Sequence, residues 1–213
     1  MRIFLDSSKV EEAKKWMSVL DGATTNPSIL LKDGGNIYEF AKLFGDKPVS
    51  VEATGDFRTE ALEYAKNIPN AVIKIPLLNC EKGNNLDLIK ELSKKKIPIN
   101  RTALFSLSQV LLATKAGARY VSLFAGRVDD EGGDSSSMIR DCVKLLADEY
   151  RHGSMTELIV GSIRTPKDVL SAVNAGAHIV TIPPPILDKM INHEFSRTTV
   201  RQFEADAKKL KGG

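Results

Sequence analysis

Eight short apolar runs, each followed by a longer stretch, restrict the fold of this chain more than any other feature. They are Arg2–Leu5, Gly22–Thr25, Val49–Glu52, Ala71–Ile75, Ile97–Asn100, Arg119–Ser122, Glu157–Gly161 and His178–Ile182. Runs apolar on both faces read as parallel strands covered by helices. Between them, Lys9–Leu20 sets Val10, Ala13, Trp16, Met17 and Leu20 on one face at the helical period. Glu60–Lys66, Leu86–Lys95, Ser108–Lys115, Met138–Tyr150 and Pro166–Asn174 behave alike. Asp134–Ser137 can cap the Met138 helix, and Pro166 suits a first helical turn. Eight strand–helix units predict an α/β fold, a compact (β/α)8 barrel. A doubly wound open sheet is the alternative, but Leu5-Asp6-Ser7-Ser8 after the first run carries no glycine-rich phosphate turn. Pro183–Pro185 reads as a stiff turn after the last strand, and Phe195–Lys211 as an additional C-terminal helix covering a barrel end or a neighbouring subunit.

No Pro/Ser/Gly-rich linker divides the chain, so residues 1–213 are expected to form one domain. At 42% hydrophobic and 213 residues, it can bury about 70% of its unfolded surface and keep about 9,700 Å² exposed. That is a core sufficient without disulfides or metals. Cys80 and Cys142 form no CxxC, and no apolar run approaches a membrane span or a secretory signal. The expectation is a reduced, cytoplasmic protein with no membrane partner. A net charge of +3 gives no case for nucleic acid, though it would not repel small anions. Lys94–Lys96 falls at a predicted helix C-terminus, where cations favour the dipole.

The polar residues that end these runs carry the functional signal. They are Asp6, Thr24-Thr25-Asn26, Glu52, Lys74, Asn100 with Thr102, Ser122 and Ser162. In a barrel the strand C-termini ring one mouth, so seven of eight strands would supply one pocket. Lys74 stands inside Ala71-Val72-Ile73-Lys74-Ile75-Pro76, where an ammonium loses hydration and its charged form is disfavoured. A neutral amine can attack a ketone to form a Schiff base. Threading its stem to solvent, or pairing with Glu52 or Asp6, is the bland alternative. Two carboxylates on neighbouring strand ends favour chemistry, since imine formation needs proton transfers. Asn26, Asn100, Thr24 and Ser122 suit sugar hydroxyls, although such residues also cap helices. Arg127, Ser162 and Arg164 suit an oxyanion, with surface ion pairs as the other use of the arginines. His152, His178 and His193 have no metal-ligand spacing.

Phe4-Leu5-Asp6-Ser7-Ser8, Thr24-Thr25-Asn26-Pro27-Ser28, Val72-Ile73-Lys74-Ile75-Pro76, Ser122-Leu123-Phe124-Ala125-Gly126-Arg127-Val128-Asp129 and Ser162-Ile163-Arg164-Thr165 resemble the transaldolase family. The resemblance runs the length of the chain and is closest to the short branch that includes fructose-6-phosphate aldolases. It implies a class I aldolase in which Lys74 forms the Schiff base and Asp6 handles a substrate hydroxyl proton. Glu52 would act through a water, with Thr24 contributing to that water's site. Asn26, Asn100, Thr102 and Ser122 would hold a dihydroxyacetone unit, and Arg127, Ser162 and Arg164 its phosphate. Glu52 and Phe124 are the transaldolase choices where free aldolases carry Gln and Tyr. The resemblance implies no metal or organic cofactor, an anionic sugar substrate, and a homo-oligomer, a pentamer or decamer.

Three departures stand out. Arg101 takes the place of a small or apolar residue, and strand alternation predicts that it points away from Asn100. Leu123 replaces a proline. The segment Leu78–Asn85 is longer and more polar than the family's turn, which makes a 6-sulfonated ketose an alternative substrate, with Asn79 or Asn84 as extra donors. A sugar-phosphate-binding barrel without chemistry, and an isomerase using Glu52 as base, are the remaining alternatives.

Overall fold

In a computed structural model, which describes residues 1–80 and 83–211, eight strands form one closed parallel barrel. They are β1 (Arg2–Asp6), β2 (Gly22–Thr24), β3 (Val49–Glu52), β4 (Ala71–Pro76), β5 (Ile99–Leu104), β6 (Tyr120–Phe124), β7 (Glu157–Gly161) and β8 (Ile179–Ile182). Each pairs with its successor, and β8 closes on β1. All eight expected runs are strands. The largest displacement is β5, which starts at Ile99 and runs on to Leu104. Pro98 has no N–H to give a ladder and only accepts, from Ile73.

Six helices stand where the periodicity put them, the first ending in a turn after Trp16 instead of reaching Leu20: α1 (Val10–Trp16), α4 (Phe57–Asn67), α5 (Leu86–Lys94), α6 (Leu107–Lys115), α8 (Ser135–Arg151) and α9 (Pro166–Asn174). Asp134 caps α8 by accepting from the Ser137 amide. Thr165 and Asp168 form a reciprocal capping box at α9, with Pro166 in its first turn. Four further helices lie in short segments: α2 (Pro27–Asp33), α3 (Ile37–Lys42), α7 (Ala125–Asp130) and α10 (Pro184–Ile191). Here the expected turn at Pro183–Pro185 is corrected. Pro183 is the N-cap of α10, and Pro184 and Pro185 occupy its first turn, where a missing N–H costs nothing.

The pleat sorts side chains into two shells. Outward residues such as Leu5, Val51, Ile73, Ile75, Val121, Leu123, Val160 and Ile182 join the large core shared with the helices. Inward, Phe4, Val72, Tyr120, Ile159 and Ile179 form a separate apolar cluster. On each of these five strands the next inward position, two residues on, is Asp6, Lys74, Ser122, Gly161 or Thr181. The barrel is therefore floored with hydrocarbon and lined with polar groups above it. Phe4 fits because Gly22 faces it: a Cβ there would come within 2.8 Å of the Phe4 ring and 2.5 Å of the Pro48 carbonyl.

The tail forms α11 (Glu194–Lys211), one residue longer than expected, with no buried residue. It does not cover a barrel end. Phe195, Val200, Phe203 and Leu210 are exposed along it. The surface of 11,867 Å² accordingly exceeds the roughly 9,700 Å² expected for a compact chain of this mass.

Candidate active site

Strand register assembles the centre of the site. Glu52 on β3 lies beside Lys74 on β4, and Lys74 beside Asn100 on β5. Lys74 is 4% exposed, so hydration of its amine is largely replaced by protein. Its Nζ lies 3.1 Å from a Glu52 carboxylate oxygen and donates to the Thr25 carbonyl at 2.9 Å. The sequence reading of an amine amid hydrocarbon is thus refined. The amine faces a cavity of about 170 Å³, with an acid beside it as proton partner.

Across this cavity stands Asp6, aligned in register with Thr24. Desolvation raises the pKa of its carboxyl, opposed by the Thr24 hydroxyl bond and by the Lys74 charge, while Asp33 raises it further. Thr24 Oγ1 donates to Asp6 Oδ1 at 2.7 Å. The resemblance put Thr24 at a water used by Glu52, but its single proton is directed to Asp6.

A second chain of hydrogen bonds fixes the amide. Asn100 donates from Nδ2 to Ser50 Oγ at 3.0 Å and accepts at Oδ1 from Ser122 at 2.8 Å, which settles its orientation. Thr102 is buried, and its Oγ1 has no partner among the described residues. Asn26 caps α2, its Oδ1 accepting from the Ile29 amide, while also lining the cavity.

At the mouth, Phe124, Arg127, Gly161 and Ser162 complete the wall. The Arg127 guanidinium sits 5.4 Å from the centroid of Phe124, whose ring meets Phe105 edge-on. Ser162 has φ +62°, a left-handed backbone that costs energy in a residue with a Cβ. Close packing helps hold it: a Cβ on Gly126 would come within 2.4 Å of the Ser162 carbonyl. Arg164, grouped with Arg127 by sequence, is not part of the cavity lining. Both its terminal nitrogens bond Asp130 at 2.5 Å, which raises the guanidinium pKa and lowers that of Asp130.

Three lining or supporting residues escaped sequence reasoning, Gly161 among them because it carries no polar side chain. Ser50 lies two residues before Glu52, so strand alternation alone would have found it. Thr181 stands inside Ile179–Ile182, and its Oγ1 meets that of Thr24. With it, every one of the eight strands carries a polar group within it or just past its end. None of the described residues of the Leu78–Asn85 segment lines the cavity, and several pair with one another. Asn79 Oδ1 accepts from Gly83, Asn84 Oδ1 accepts from Leu86, and Leu78 pairs with Asn84. Glu81 and Lys82 lie outside the described residues.

Solved structures share this barrel. Two crystal structures of mandelate oxidase superpose with TM-scores of 0.60 and 0.61 over 86% of this chain, at 12% and 13% identity. The chain spans 64% of the length of each of them. At such identity the likeness concerns fold alone. Sequence relatives are closer. A probable transaldolase of Nitrosopumilus maritimus is 40% identical over 99% of this chain and 96% of its own length. One of Syntrophomonas wolfei is 42% identical over 98% and 99%. A family model described as Transaldolase/Fructose-6-phosphate aldolase matches residues 3–212. With its register-aligned lysine and carboxylates, this chain belongs to the transaldolase/fructose-6-phosphate aldolase family of enzymes.

Proposed function

We propose that the protein is a Schiff-base transaldolase that moves a dihydroxyacetone unit from a 6-phosphorylated ketose, of the fructose 6-phosphate or sedoheptulose 7-phosphate type, to an aldehyde acceptor. The observation that carries this reading is the Lys74 amine, 3.1 Å from Glu52 and facing a cavity that Asp6 also lines. Passing the ammonium proton to Glu52 leaves a lone pair on Nζ that attacks the C2 ketone. Glu52 then protonates the carbinolamine hydroxyl, which departs as water and leaves the imine. Asp6 takes the C4 hydroxyl proton as the C3–C4 bond breaks, and the electron pair moves into the protonated imine to give an enamine. The aldehyde product departs, and an acceptor aldehyde reverses these steps. Asn26, Asn100 and Ser122 hold the hydroxyls, Thr102 has a hydroxyl to spare for water or substrate, and Ser162 and Arg127 take the anionic end, which Arg164 joins by turning from Asp130.

Glu52 and Phe124 favour transfer over free aldol cleavage. One observation supports the 6-sulfonated alternative: Asp130 already neutralises Arg164, which suits a singly charged end better than a doubly charged one. Asn79 and Asn84 keep their Nδ2 donors, since only their side-chain oxygens are engaged in the turn, but neither lines the cavity. The exposed apolar residues of α11 support assembly with other copies, and the free thiols Cys80 and Cys142 suit a reducing cytoplasm.

Borohydride reduction in the presence of each donor, followed by mass spectrometry, tests the reading. A covalent adduct on Lys74 is expected, and none on Lys74→Met. No adduct with any phosphorylated or sulfonated ketose would leave a binding protein or an isomerase.

A further inference from the structure

The mechanism above uses Asp6 as a base, yet the carboxylate stands where desolvation works against its charge. Its direct support is Thr24 Oγ1, which donates to Oδ1 at 2.7 Å. A hydroxyl has one proton. When Thr24 gives it to the carboxylate, the contact between Thr24 Oγ1 and Thr181 Oγ1 requires Thr181 to be the donor. Three groups on three adjacent strands, β8, β1 and β2, thus form one directed chain ending on Asp6. Thr181 itself is 5% exposed and lines the cavity.

We propose that Thr181 is a positioning residue for Asp6: by donating to Thr24 it orients the hydroxyl that holds Asp6 as a carboxylate able to take the substrate proton. The chain can also run in reverse. Once Asp6 has taken the proton, both hydroxyls can rotate and the carboxyl can donate back to Thr24. A side chain of the same shape without the hydroxyl would lose both directions. The charged groups acting on Asp6 are few. Lys74 on β4, paired with Glu52 on β3, favours the carboxylate, and Asp33 on α2 disfavours it. Arg127 on α7 lines the same cavity. β2 and β8 supply only the two hydroxyls, so removing one alters the chain without altering the charges around it.

This inference rests on the Schiff-base reading only for the use made of Asp6. The test therefore has two arms. In the first, kcat is followed against pH for the wild type, Thr181→Val and Thr181→Ser. Asp6 must be ionised to act, so activity climbs with pH through its titration. The valine variant should shift this acidic limb to higher pH by about half to one unit, the scale of one lost hydrogen bond. The serine variant should keep the wild-type limb. In the second arm, the Asp6 carboxyl is titrated by carbon NMR without substrate, and the same upward shift is expected. A uniform drop in kcat with an unmoved limb and an unmoved carboxyl titration overturns the proposal. If the wild type forms no borohydride adduct, the functional reading fails, but the carboxyl titration still decides the role of Thr181. Should the valine variant fail to fold, Thr181→Ala removes the same hydroxyl and carries the same expectation.

Discussion

Arg101 is fully buried, and none of its three guanidinium nitrogens has a partner among the described residues. It falls in the outward shell, between Ile75 and Val121 in register, where its neighbours on the adjacent strands are apolar. Burial pulls its pKa down to about 9. The folded state therefore binds this proton less tightly than the unfolded chain. Its cost to stability is full below pH 9 and is relieved as pH rises past that value. Arg101→Leu should raise Tm by about 2–10 °C at pH 7. By calorimetry the gain should shrink near about pH 10.5, and an equal gain at both pH values would contradict the account. The outward direction of Arg101 was readable from strand alternation, but its isolation was not. A sequence carries the parity of a strand without saying which carboxylates its neighbours bring. The same limit explains Thr24, whose partner depends on a β1–β2 register that no local pattern encodes.

At the scale of elements, the join between β7 and α7 shapes the cavity wall at Ser162. Gly126 in α7 presses on Ser162, just past β7, and holds it beside Arg164. Gly126→Ala would force the Ser162 backbone to move, because the nearest atom is a carbonyl and not a flexible tip. Steady-state assays should show KM for a 6-phosphorylated donor rising about 10- to 100-fold. An unchanged KM would remove Gly126 and Ser162 from substrate recognition. Strands were legible because burial on both faces writes unbroken apolar runs. The long helices were legible because their stripes repeat over several turns. The four missed helices have six to eight residues and, α3 apart, no apolar stripe running on beyond them, as Met17 and Leu20 extend that of α1. Three of them start from proline or a capping asparagine. A Pro-Pro pair permits a turn and a helix start equally, and only the following chain path chooses.

For the whole molecule, the informative element is the one outside the barrel. α11 exposes Phe195 at 76% and Phe203 at 67%, and no residue of it is buried. An amphipathic helix gains most of its stability from packing, so a bare one calls for a second surface. Phe195→Lys combined with Phe203→Lys should reduce the sedimenting mass from that of an assembly toward that of a monomer. The Lys74 adduct should persist, because α11 lines no part of the cavity. Equal mass for wild type and variant would show that the helix stands free.

The hydrocarbon floor has its own consequence for traffic. Phe4, Val72, Tyr120, Ile159 and Ile179 fill the barrel beneath Lys74 with hydrocarbon, a poor path for a charged sugar. Whatever is released from the donor must leave by the doorway through which the next molecule arrives. Under the proposed Schiff-base transfer the aldehyde product leaves before the acceptor enters, so double-reciprocal plots should be parallel lines, and intersecting lines would show both molecules bound together.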